Sequence, residues 1–104
     1  MFDQRAMRDM MKQAQQMQQQ MEEAQSALAA EIVEGSAGGG MVTATMTGQI
    51  DLTAITINRD VVDPDDVEML QDMVLGAVKD ALEKAKALQQ ERLGAITGGM
   101  QLPF

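Results

Sequence analysis

Residues able to do covalent or acid–base chemistry are nearly absent from this 104-residue sequence. It contains no histidine, cysteine or tyrosine, and its only serines, Ser26 and Ser36, have no histidine to act as their base. Carboxylates are the remaining candidates. Asp60, Asp63, Asp65, Asp66 and Glu68 are crowded together, but their spacing lacks the glycine and the distal glutamate of a calcium loop. They are better read as capping and solvating the start of a helix. The run Gly-Ser-Ala-Gly-Gly-Gly at residues 35–40 is followed by strand-like sequence rather than by Gly-Lys-Ser/Thr and a helix, so it reads as a flexible connection and not as a phosphate cradle. No enzymatic activity, metal, cofactor or small-molecule substrate is therefore expected.

The cations near the N-terminus carry more information. At 100° per residue, Arg5, Arg8 and Lys12 fall within about 60° of one another on a helix. They lie nearly opposite an apolar seam formed by Met7, Met10, Ala14, Met17, Met21, Ala24 and Leu28. Gln16 and Gln19 continue the basic face with neutral amides before Glu22 and Glu23 reverse its sign. On these residues alone an ordinary solvated helix face is the simpler reading. The formal net charge of -8 also argues against a uniformly basic polyanion binder.

The elements that must position these groups follow from periodicity. Residues 4–30 have steps of three and four between apolar positions and no Gly or Pro, which predicts one helix about 40 Å long. Ile32 and Val33 suggest a strand leading into the glycine run. Val42, Ala44 and Met46 alternate with Thr43, Thr45 and Thr47, the pattern of a half-exposed strand. After a turn at Gly48-Gln49, residues 52–58 predict a third strand with Thr53, Ile55 and Ile57 on one face. Asp63-Pro64 predicts the start of a last helix, with an apolar stripe of Val67, Leu70, Val74, Ala77, Val78, Ala81, Ala85 and Leu88 and an end near Leu93-Gly94. Residues 97–104 are expected to form a flexible tail.

The fold class expected is thus α+β: a long N-terminal helix, a three-stranded antiparallel sheet and a long C-terminal helix, in a single domain spanning residues 1–104. Two such helices outreach so small a sheet and would leave their seams in water, so a two-fold homodimer is expected. Apolar residues at heptad spacing are more often a self-interface than a groove for foreign helices, which nominates Met10, Met17 and Met21 as dimer contacts. The absence of an apolar run of signal-peptide or membrane-span length suggests a cytoplasmic protein without membrane contact.

Two segments resemble a known family. Met10-Met11-Lys12-Gln13-Ala14-Gln15-Gln16-Met17-Gln18 and Gly98-Gly99-Met100-Gln101-Leu102-Pro103 are similar to the YbaB/EbfC family of bacterial nucleoid-associated proteins, and the similarity extends over essentially the whole chain. The sequence departs from the family pattern at Asp3-Gln4-Arg5, where members commonly carry Lys and Gly. The resemblance implies a tweezer-like homodimer with projecting helices that binds double-stranded DNA with little sequence preference in the nucleoid. Arg5, Arg8 and Lys12 are then the candidate DNA contacts. An acidic chain can do this if its charge is segregated, and residues 60–72 hold six acids and no base. The competing reading is a non-catalytic acidic adaptor for replication or repair proteins, whose protein partners the sequence leaves unknown.

Overall fold

The structure is a computed structural model and describes residues 3–97. Helix α1, Gln4–Ala30, begins at Asp3, whose carboxylate accepts from the Arg5 amide at 2.6 Å and the Ala6 amide at 3.0 Å. It ends where Glu31 turns extended. Strands β1 (Ile32–Ala37), β2 (Val42–Thr47) and β3 (Leu52–Ile57) follow as an antiparallel meander in the order β1-β2-β3. A single 3-10 turn, Arg59–Val61, leads to helix α2, Val67–Thr97. The α+β architecture expected from the periodicity is the one observed. The tail expected at residues 97–104 lies outside the described residues apart from Thr97, which closes α2.

Three boundaries and one strand face differ from the sequence reading, each for a physical reason. β1 does not stop at Gly35 but continues to Ala37, because α2 lies so close that only a residue without a side chain fits. A Cβ on Gly35 would collide with the Ala81 amide nitrogen and the Ala77 carbonyl oxygen and lie 2.8 Å from the Ala81 Cα. The bend is deferred to Gly38, Gly39 and Gly40, all at positive φ. In β3 a bulge next to Thr45/Met46 skips Thr53, whose hydroxyl donates to the Thr45 carbonyl at 3.2 Å. Leu52, not Thr53, therefore shares a face with Ile55 and Ile57, opposite Met46, Ala44 and Val42 respectively.

The helix predicted from Asp63 starts instead at Val67. The Asp63 carboxylate accepts from Asp65 N at 2.9 Å in a local turn, and Asp66 supplies the cap, accepting from Met69 N at 3.2 Å. At the other end α2 passes through Gly94 to Thr97, since one helical glycine costs only about 1 kcal/mol.

The core lies between one sheet face and α2: Val42, Ala44 and Met46 pack against Ala77, Ala81 and Ala85, all buried. The alternation read in β2 thus sets which face is covered. Helix α2 sits over β1 and β2 and scarcely touches β3. Its flank is fastened to the outer edge of β1, where Asp80 accepts from the Ser36 amide at 3.0 Å and the Lys84 ammonium donates to the Glu34 carbonyl at 2.9 Å. Leu28 buries the end of α1 against the Gly48 turn. Met17, Met21 and Ala24 are partly covered as well, the N-terminal part of α1 projects, and the molecule measures 74 × 27 × 16 Å. Neither helix alone, at about 40 and 46 Å, reaches that length.

This geometry makes Gly35→Ala a strongly destabilising substitution, expected to lower stability by about 2–3 kcal/mol or more through overpacking against helix backbone. Gly39→Ala, which meets open space at φ +69, should lose only about 1–2 kcal/mol from backbone strain. Paired denaturant melts measure both, and equal stabilities would refute the close approach.

Candidate nucleic-acid interface

The projecting end of α1 gathers the three basic side chains singled out by sequence. Arg5, Arg8 and Lys12 are all exposed. Among the described residues none of the three has a carboxylate within ion-pairing distance. Arg5 and Arg8 line a shallow polar groove with Asp3, Gln4 and Asp9. Further along, Gln16, Gln19, Gln20 and Glu23 line a second polar groove. The arrangement suits phosphate contacts from long flexible cations, followed by neutral hydrogen-bonding amides.

The free N–H groups at a helix start can hold an anion, but here the Asp3 carboxylate already fills that position through the Arg5 and Ala6 amides. Phosphate binding must therefore rest on side chains. Two acids flank the patch, Asp3 and Asp9, and the second of them is legible in the sequence from its spacing to Arg5 and Arg8.

Two of the remaining cations are already engaged. Arg92 donates through Nε to Glu31 at 3.2 Å and through its terminal nitrogen to the other carboxylate oxygen, joining the α1–β1 junction to α2. Lys84 pairs with Asp80 at 3.3 Å. Arg92 thus has a structural task. Arg59, Lys79 and Lys86 are exposed and form no ion pair among the described residues.

Both engaged acids titrate low. The hydrogen bond from Arg92 holds the Glu31 carboxyl below its ordinary value of 4.5. The Ser36 amide, and then Lys84, hold Asp80 below 3.8.

The acids of residues 60–72 sit at the opposite end of the molecule. They flank the start of α2, at the edge of the sheet where β3 ends, whereas α1 leaves from the edge where β1 begins. About 40 Å of helix and about 20 Å of strand separate them from the tip. Among the described residues no group of His, Cys, Asp or Glu could hold a metal ion, and no helix is long and apolar enough to cross a membrane.

The nominated interface methionines divide. Met10 is 58 % exposed, while Met17 and Met21 are half-buried within their own chain. A larger unpartnered apolar face lies elsewhere, and the sequence reading missed it. Leu52, Ile55 and Ile57 lie bare on the α2 side of β3. Beside them Leu70, Gln71, Val74, Leu75 and Val78 line an apolar trough on α2. With Asp80 and Lys84 fixed at β1 and Ala77, Ala81 and Ala85 against the sheet, helical geometry turns Val74, Leu75 and Val78 toward β3. The bulge hid this face, because it moves Leu52 into line with the two isoleucines.

Arg5, Arg8 and Lys12 stand exposed on the outer part of α1 and the acids of residues 60–72 lie far from them, an arrangement that fits a nucleic-acid-binding protein, and comparison with known proteins agrees. The YbaB/EbfC DNA-binding family matches residues 3–100, and the chain belongs to that family. It is 54% identical over 94 residues to a nucleoid-associated protein of Chloroflexus aurantiacus, covering 90% of this chain and 94% of that one. It is 50% identical over 97 residues to a nucleoid-associated protein of Nocardia farcinica, covering 93% and 88%. The crystal structure of an uncharacterized protein from Helicobacter pylori shares the fold with a TM-score of 0.69 at 19% identity, over 96% of this chain and 99% of that one.

The lowered Glu31 and Asp80 carboxyls give a pH dependence of defined sign. Groups whose folded pKa is depressed contribute stability above their unfolded values, near 4.5 and 3.8, and lose it as the pH falls through the lower folded values. Both groups are only partly buried, so solvent screening keeps the effect small. A melting-temperature series from pH 6 to 2 should show an acid limb that is shallower in a Glu31→Gln/Asp80→Asn variant.

Proposed function

We propose that the protein binds duplex DNA as a homodimer with little sequence preference, as an architectural component of the nucleoid in the cytoplasm. The observation that carries this reading is the Arg5/Arg8/Lys12 face, exposed on a projecting helix end and without an ion pair among the described residues. At physiological salt the Debye length is about 8 Å, so acids several tens of Å away scarcely oppose a phosphate at the tip. Location outweighs the net charge of -8. Two copies would offer six such cations, enough for a few phosphate contacts and for salt-sensitive binding of about micromolar strength.

The homodimer is proposed to close over the bare β3 face, each copy laying the Val74–Leu75–Val78 flank of α2 on its partner's Leu52, Ile55 and Ile57. A face about 24 Å long and about 20 Å wide gives about 1,000 Å² for the pair, where stable interfaces begin. Met10, Met17 and Met21 would then contribute less, since Met17 and Met21 are already half covered.

Two measurements test these proposals. Light scattering at micromolar concentration should give about twice 11.3 kDa, and Ile55→Asp or Leu75→Asp should return the mass to one chain, with Met17→Asp weakening association less. In a mobility shift at low salt, replacing Arg5, Arg8 and Lys12 together with glutamine should weaken binding more than tenfold without changing the mass. Wild-type affinity in that variant would overturn the assignment.

A further inference from the structure

Glu22 and Glu23 stand in the middle of α1 without a structural task. Both are exposed, and among the described residues neither takes part in a hydrogen bond or ion pair. The positions four residues away, Gln18, Gln19, Ser26 and Ala27, offer no cation, so no side-chain pair along the helix explains them. Being mid-helix, they also gain nothing from the dipole. Glu23 does have a specific relation to the DNA-contacting face. Arg5, Arg8, Lys12, Gln16, Gln19 and Glu23 fall in one band about 80° wide, ordered from the tip inward as cations, amides and carboxylate. Gln16, Gln19, Gln20 and Glu23 share one groove.

We propose that Glu22 and Glu23 set the inner limit of DNA contact on α1, holding the duplex to the outer part of the helix and off the sheet. The inference rests on the DNA-binding reading above and adds the residues that bound the site. Distances decide how the acids act. Lys12 and Glu23 are separated by about 16 Å along the axis, two Debye lengths at physiological salt, so the carboxylate leaves tip contacts nearly untouched. A phosphate sliding inward to Gln19 or Gln20 would come within about 6 Å of Glu23 and be repelled. The amides between can hydrogen-bond whatever lies over them but do not draw the backbone further in. The outer segment, residues 3–21, carries three cations and two acids, so the tip of this acidic chain has a net positive charge.

The test compares Glu22→Gln/Glu23→Gln with a control that removes the same charge elsewhere, Asp72→Asn/Glu83→Gln, both exposed on α2. All three full-length proteins are measured on one duplex by mobility shift across a salt series and by hydroxyl-radical footprinting. The expected result is a several-fold gain in low-salt affinity and a longer protected stretch for the α1 variant, with less than a twofold gain and an unchanged footprint for the control. Equal gains would mean that only total charge matters and would overturn the inference, as would an α1 variant identical to wild type. The Arg5/Arg8/Lys12 glutamine variant separates the two levels. If it loses binding while the Glu22/Glu23 variant matches the control, the DNA reading stands and this inference alone fails; if it binds like wild type, the site itself is misplaced.

Discussion

The contact on which most of this architecture depends is the seating of α2 on Gly35. A helix presenting Ala77, Ala81 and Ala85 has no long side chains to hold it away from the sheet, and the missing Cβ at Gly35 lets its backbone settle directly onto β1. The low seat brings Asp80 and Lys84 within reach of the β1 edge, where they take up a free amide and a free carbonyl. Anchored there, the helix is off-centre. It covers two strands of three, and the third keeps an apolar face with nothing of its own chain above it.

The same seat organises charge. Helix α1 joins the body formed by α2 and the sheet along its C-terminal half, where Met17, Met21 and Ala24 are partly covered, Leu28 is buried and Glu31 pairs with Arg92, and the other end of the helix is carried away from the body. The acids that start α2 are left at the far edge of the sheet. For the DNA contact proposed at the tip, distance beyond several screening lengths stands in for neutralisation. A family of DNA-binding proteins can in this way include a chain with twice as many acids as bases.

Much of this was legible in the sequence because long, regular patterns dominate it. The span of α1, the buried face of β2 and the exposure of Arg5, Arg8 and Lys12 follow from period and spacing alone. What escaped was decided by contacts between distant residues or by competing local bonds. Gly35 looks like the start of a loop until Ala77 and Ala81 are placed over it. Asp63-Pro64 is a good helix start by type, yet the Asp63 side chain prefers its own turn. The unpartnered apolar face was invisible because the bulge at Thr53 shifts β3 by one residue, and alternation read along the strand assigns Thr53 where Leu52 belongs. The Asp3 carboxylate in the anion position of α1 was legible as a cap, but its consequence for phosphate binding needed the hydrogen bonds themselves.

The way β1 is finished has a consequence for how far copies of this chain can associate. An open sheet edge is a template on which another strand can grow, and a sheet with two open edges can extend without end into a fibre. Here Asp80 takes the Ser36 amide and Lys84 the Glu34 carbonyl, so the β1 edge meets an incoming strand with one donor and one acceptor of its ladder already engaged. Growth at that edge must first displace the ion pair, and side chains of α2 thereby weight strand addition away from β1.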